Sequence, residues 1–264
     1  LNAANAVIAN NEMRKGKTLW TDNGEGEKIF VHTSFNEHDE AKYIADMIQE
    51  GVSKGRRYTD YAVLYRMNSQ SNMIEKVFVK SGIPYRIIGG FRFYERKEIR
   101  DMIAYLSVIN NPADEMRLRR IINMPKRSIG ERTIAQASEI ASALGEELLE
   151  IIRRADEFES LRRAAPKLQQ FARLIDELIA ASQDEEVSLR QLYELVLEKT
   201  QYIAAIRSEK EESESRVENI NELASNIIKY EEENGEEASL SGFLEEVSLM
   251  TDIDNYDENA QSVV

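Results

Sequence analysis

Apolar positions follow two alternating spacings along the first 110 residues. Lys28–His32 (KIFVH), Tyr61–Tyr65 (YAVLY) and Pro84–Ile88 (PYRII) are short runs rich in β-branched and aromatic residues, and each predicts a strand. Between them the spacing lengthens. Ala41, Ile44, Ala45, Ile48 and Val52 recur at three or four residues, which predicts a helix over 36–52 with Asn36 as its N-cap. Ser69–Ser81 predicts a helix closed by Gly82, and Glu95–Asn110 another, stopped at Asn111-Pro112. Leu1–Asn11 has the character of the end of a helix. Strand and helix in regular alternation imply βαβ units around a mostly parallel sheet.

Beyond Pro112 no segment has strand character until the last residues. Helices are predicted over Leu118–Asn123, Glu131–Leu144, Glu146–Arg154, Leu161–Ala181, Val187–Lys199, Glu212–Glu233 and Leu240–Met250. Leu168, Phe171, Leu174, Ile175, Leu178 and Ile179 form one apolar stripe. Thr251–Gln261 is polar and acidic, and Val263-Val264 opens a new apolar run, as at the start of a strand. The fold class expected is α/β plus all-α. A partial parallel α/β sheet domain spans 1–110, a helical insertion 111–250, and a return segment 251–264. Such insertions are tolerated where their two ends meet at a surface loop, and hinges let them move.

Composition narrows the chemistry. The 264 residues are 42% hydrophobic and 31% charged, enough apolar material for a core. Without cysteine there are no disulfides or thiolate ligands, which suits a reducing cytosol. Two histidines, His32 and His38, argue against a histidine metal site and most histidine-based catalysis. No apolar run approaches the ~20 residues of a membrane span, so no membrane partner is expected. The chain begins at Leu1 rather than Met, which reads as a piece of a longer polypeptide.

The net charge of −14 would by itself disfavour nucleic acid. Its distribution changes that. Residues 1–110 carry a net of +2 and residues 111–264 a net of −16. Inside the acidic part, residues 117–132 hold six basic side chains and one acid, Glu131. A basic island in an acidic body is either an uneven solvated surface or a small phosphate-contact site.

No G-x-x-x-x-G-K-[ST] loop and no G-x-G-x-x-G after a strand is present, and no catalytic dyad can be defended. Three clusters carry possible binding chemistry. Tyr65–Ser71 (YRMNSQS) follows a predicted strand, where open α/β sheets place ligands; Arg66 and Asn68 could grip a phosphodiester, or Asn68 or Ser69 could simply cap a helix. Gly89–Arg96 (GGFRFYER) joins glycines, aromatics and arginines as single-strand grooves do, unless the aromatics are core. Met124–Ile134 (MPKRSIGERTI) reads as helix, turn, helix, with backbone amides at the second helix start flanked by Lys126, Arg127 and Arg132. The plain alternative is a helix–helix turn with basic decoration.

Taken in order with LNAANAVI, KTLWTDN, PYRIIGGFRFYERKEIRDMIAYL and SRVENINEL, these strings resemble the UvrD/PcrA/Rep-type superfamily 1 DNA helicases over nearly the whole chain. The resemblance implies that 1–110 is the first portion of a RecA-like motor domain, 2A. Residues 111–250 would be its helical insertion, 2B, and 251–264 the return toward 2A. It also implies the function: part of an ATP-dependent 3′→5′ DNA helicase serving repair and replication. Arg66, Asn68 and Arg92 match positions that contact the single strand. Ser128, Ile129 and Gly130 match a Gly-Ile-Gly turn that touches duplex, with Ser128 replacing the first glycine. Lys126, Arg127, Arg132 and Thr133 would support it.

ATP and Mg²⁺ would serve the parent enzyme through its other motor domain. This piece, lacking a complete ATP site, is expected to bind neither and to be inactive alone. Expected partners are DNA as single strand and single/double-strand junction, the missing motor domain of the same polypeptide, and repair proteins. The expected location is the bacterial cytoplasm, at the nucleoid. Two alternatives stand beside this reading: a protein-interaction and autoinhibitory module of such a helicase, or the equivalent part of a helicase–nuclease subunit.

Overall fold

The computed structural model describes residues 1–10, 18–22, 24–66, 70–87, 92–209, 213–253 and 262–263. It divides into two compact units, Leu1–Phe35 and Asn36–Val264. In the first, helix α1 (Asn2–Ile8) is tied to the following segment by Asn5, whose side-chain amide donates to the Leu19 carbonyl and accepts from the Leu19 N–H, each at 2.9 Å. Ile29, Phe30 and Val31 have no regular secondary structure and are more than 70% exposed.

The second unit holds eleven helices among its described residues. They are α2 (Glu37–Ser53), α3 (Ser71–Lys80), α4 (Lys97–Asn110), α5 (Glu115–Ile121), α6 (Glu131–Leu144) and α7 (Leu148–Arg153), followed by α8 (Ala165–Ser182), α9 (Leu189–Thr200), α10 (Tyr202–Ser208), α11 (Ser213–Asn234) and α12 (Leu240–Ile253). Local chemistry sets many of their ends. Asn36 caps α2 by accepting from the Asp39 N–H, and Ser188 with Gln191 forms a capping box on α9. Gly82 and Gly145 follow α3 and α6 with φ of +65° and +68°, a conformation glycine adopts without steric penalty.

The apolar interior forms two clusters. The smaller packs Ala41, Ala45 and Ile48 of α2 on Met73, Val77 and Phe78 of α3, with Ile83 and Val263. The larger starts at Phe93 and runs to Val247. Its axis is α4, which buries ten of its 14 residues and contacts α5, α8, α11 and α12. The aperiodic burial of α4 follows from helices packing around it on several sides.

The expected parallel sheet is the feature the structure does not confirm. Among the described residues no strand of the 28–32, 61–65 or 84–87 segments pairs with another of them. The 28–32 and 61–65 segments have no regular secondary structure, and Leu64 is 94% exposed while Tyr61 and Val63 rest on the smaller core. One parallel bridge remains among the described residues, Tyr85 with Val263. There the Arg86 N–H donates to the Val263 carbonyl and the Val263 N–H to the Pro84 carbonyl, each at 2.9 Å. β-propensity marks backbone that is easily extended, whereas a sheet also requires a neighbour in register.

Candidate nucleic-acid interface

The turn between α5 and α6 is built from inside. Asn123 follows α5 and offers its side-chain oxygen to the Arg127 N–H (2.7 Å) and the Ile129 N–H (3.4 Å), folding the chain back. Arg127 turns inward. Its Nη1 donates to the carbonyls of Ile121, Ile122 and Pro125 at 3.0–3.3 Å, and its Nη2 to the Tyr105 hydroxyl at 2.8 Å. The guanidinium lies over the Phe171 ring, 5.2 Å from its centroid. Tyr105 in turn donates to the Met124 carbonyl at 2.5 Å. Burial pushes its phenol up to about 12, against the opposing pull of Arg127.

Ile129 is 1% exposed, a plug in the larger core between two exposed neighbours. Ser128 sits at φ +57°, the left-handed region that glycine occupies more readily. Gly130 is extended and forms the N-cap of α6, and no side chain caps that end. Ser128 and Gly130 are exposed, the Ile129 N–H is held by Asn123, and the Thr133 N–H donates to the Gly130 carbonyl at 2.9 Å, so the Glu131 and Arg132 amides are the ones left at the end of a helix dipole that favours anions.

The cations around this turn divide. Arg117 pairs with Asp114 at 2.5 Å, Arg119 with Glu115 at 3.0 Å, and Arg120 with the buried Asp101 at 2.7 Å. Lys126 and Arg132 are exposed, with no hydrogen bond or ion pair within the described residues, and Thr133 is half-buried on the first turn of α6. Lys167 of α8 joins them, its Nζ 3.4 Å from the Ser128 carbonyl. Sequence reading missed Lys167, since nothing local signals a contact 39 residues away.

The second candidate region lies beside α3. Arg66 is exposed, and its N–H donates to the Gln70 side chain at 3.1 Å. Asn68 lies outside the described residues, as do Gly89 and Gly90. Arg92 is half-buried with its guanidinium 5.3 Å from the Tyr85 ring centroid. The aromatics of this cluster divide as well: Phe93 is 1% exposed and belongs to the larger core, with Tyr94 edge-on against it at 5.1 Å. Burial drives the Tyr94 phenol well above its usual range.

A buried polar layer joins this region to α11. Arg96 donates to Asn219 (2.7 Å) and to Ser71 (2.8 Å), and Asn219 donates to Glu98 (2.6 Å). Asn72 donates to Glu222 (2.7 Å) and Asn226 (2.9 Å), and Lys76 to Asn226 (3.0 Å). The string SRVENINEL thus supplies Asn219 and Glu222 of this layer, and Asn226 lies just beyond it on α11.

Among the described residues no three His, Asp or Glu side chains converge on a metal-sized site. No glycine-rich phosphate loop opens a described helix either.

The chain is 41% identical to ATP-dependent DNA helicase UvrD1 of Mycobacterium leprae, a match covering all of this chain and 36% of that protein. It is 38% identical to ATP-dependent DNA helicase PcrA of Bacillus subtilis, over 99% of this chain and 35% of that protein. It is 39% identical to PcrA of Staphylococcus aureus, over 97% and 35%. The chain thus spans about a third of the length of these relatives. The model of one family, described as the UvrD-like helicase C-terminal domain, matches residues 1–264 without interruption, and the chain belongs to that family.

Proposed function

We propose that this chain is the DNA-holding and regulatory part of an ATP-dependent 3′→5′ helicase. Residues 1–110 with the return segment 251–264 would belong to motor domain 2A and residues 111–250 to its insertion 2B. The observation that carries the reading is the α5–α6 turn: exposed Ser128 and Gly130 at a helix start with no side-chain cap, beside Lys126, Arg132 and Lys167, on a chain otherwise rich in acids. Ser128, Gly130 and Thr133 would meet the duplex phosphates directly. Ile129 and Arg127 would act from below by fixing the turn. Arg66, Asn68 and Arg92 would hold the single strand. ATP and Mg²⁺ would be bound by other parts of the enzyme. We place the protein in the bacterial cytoplasm, with the rest of its motor, DNA junctions and repair proteins as partners. No described helix is long and apolar enough to cross a membrane.

Fluorescence anisotropy tests the reading with three probes: a duplex with a 3′ tail, a blunt duplex and a single strand. The tailed duplex should bind most tightly. The combined change Lys126→Ala, Arg132→Ala and Lys167→Ala should weaken duplex binding about tenfold or more and leave single-strand binding within about twofold. It should also flatten the slope of log K against log salt by about 2–3, roughly one for each phosphate that no longer meets a cation. Equal weakening on both probes would remove the turn from the duplex.

One observation favours a second reading. Residues 140–264 hold 30 acidic and 12 basic side chains, a surface that suits basic protein partners or intramolecular docking. Binding to single strand with none to duplex would favour that reading.

A further inference from the structure

We propose that Glu75 is a positioning residue that fixes Arg66 and Arg92 relative to one another, setting the spacing at which they hold successive phosphates of a single strand. The inference rests on the single-strand reading above and adds the group that sets its geometry.

Glu75 lies on α3 and is 8% exposed. Among the described residues its carboxylate accepts from three groups. Oε1 accepts from the Ser71 hydroxyl at 2.5 Å, and Oε2 from the Phe93 N–H at 3.2 Å and the Tyr85 hydroxyl at 3.3 Å. Arg96, also 8% exposed, donates to the same Ser71 oxygen at 2.8 Å and stacks 5.3 Å from the Phe93 ring centroid. A carboxylate buried this deeply is expensive unless its acceptor capacity is filled and a cation balances it. Here three donors meet the carboxylate, and the Arg96 guanidinium bonded to Ser71 interacts with it electrostatically.

What the carboxylate does is grip two separate segments. It holds Arg92 from two sides. One is the N–H of the next residue, Phe93. The other is the hydroxyl of Tyr85, whose ring lies under the Arg92 guanidinium. Through Ser71 it holds the start of α3, directly after Gln70, and Gln70 accepts from the Arg66 N–H. The two arginines sit on segments that follow different extended runs, and Glu75 is bonded to the anchors of both. A polyanion bound by two cations gains most when their spacing is fixed beforehand, since less ordering remains to be done on binding.

The test compares Glu75→Ala with Glu75→Gln in the intact protein, by anisotropy on a single strand and on a blunt duplex, with thermal melting alongside. Glu75→Ala should lose about tenfold in single-strand affinity, the scale of a buried donor left unpaired. Duplex affinity should stay within about twofold. Glu75→Gln keeps an acceptor for the Phe93 N–H and should recover most of that affinity. Equal weakening on both probes with a lowered melting temperature would make Glu75 a stabilising residue only, and the positioning role would fall. If Glu75→Ala does not fold, Tyr85→Phe decides, because it removes one anchor and keeps the ring. About threefold weaker single-strand binding supports the role, and unchanged binding overturns it. Should the unsubstituted protein bind no single strand, the single-strand reading itself fails. Should it bind and Glu75→Ala bind equally well, only the role of Glu75 fails.

Discussion

Arg127 donates to four oxygens and covers an aromatic ring, so its charge is spent inside the molecule. A guanidinium suits this place because its planar fork can serve several carbonyls at once, which a lysine ammonium cannot. Arg127→Ala would leave the carbonyls of Ile121, Ile122 and Pro125 and the Tyr105 hydroxyl short of a donor. The expected cost is about 2–4 kcal/mol of stability in urea unfolding, with Arg127→Lys recovering less than half. Lys126→Ala, at an exposed side chain, should stay within about 0.5 kcal/mol. Two adjacent basic residues thus differ in kind. Sequence shows both as candidate phosphate contacts, because charge and spacing do not reveal which way a side chain turns. Asn123 was the one hint available: an asparagine ahead of a proline-containing turn often folds the backbone onto itself.

At the scale of elements, the helices were the legible part. Their caps and spacing are local, and α6 runs over the predicted Glu131–Leu144. Helix α10 lies beyond the helix predicted to end at Lys199: Gln201, in the left-handed conformation at φ +56°, separates it from α9, and its apolar Tyr202 and Ile206 are buried. The sheet expected from KIFVH, YAVLY and PYRII is not confirmed, because among the described residues the one pairing is that of Tyr85 with Val263, two positions far apart in sequence. The helical cap at Asp114 gives an element-scale prediction. Its carboxylate accepts from the Arg117 N–H at 3.0 Å and pairs with the Arg117 guanidinium. Burial alone would raise its pKa, but these contacts outweigh it and hold the carboxyl below the usual aspartate range. A depressed folded-state pKa means stability that is present above the unfolded value, ~3.9, and disappears as pH falls through the folded one. Melting temperatures of the protein and of Asp114→Asn should therefore differ at pH 6 and converge toward pH 3.

Across the whole molecule, the candidate turn depends on several helices at once. Tyr105 comes from α4, Phe171 and Lys167 from α8, and Ile129 is sunk into the core that α4 organises. The polar layer from Arg96 and Glu98 to Asn219 ties α11 to the same axis. None of this convergence could be read from spacing, since each partner lies tens of residues away. Sequence groups Lys126, Arg127 and Arg132 without showing that Arg127 turns inward or that Lys167 of α8 comes beside Ser128.

The braced turn leaves a calorimetric trace. A loop that orders itself on its ligand buries fresh apolar surface, and the heat capacity of the complex drops. Here Ile129 is already sealed and the backbone already pinned, so duplex binding at this turn should carry a heat-capacity change near zero. Released counterions, an entropy gain in the solvent, would supply the drive. Titration calorimetry at three temperatures should give enthalpies lying on a nearly flat line. A steep negative slope would show that the turn assembles only when DNA arrives.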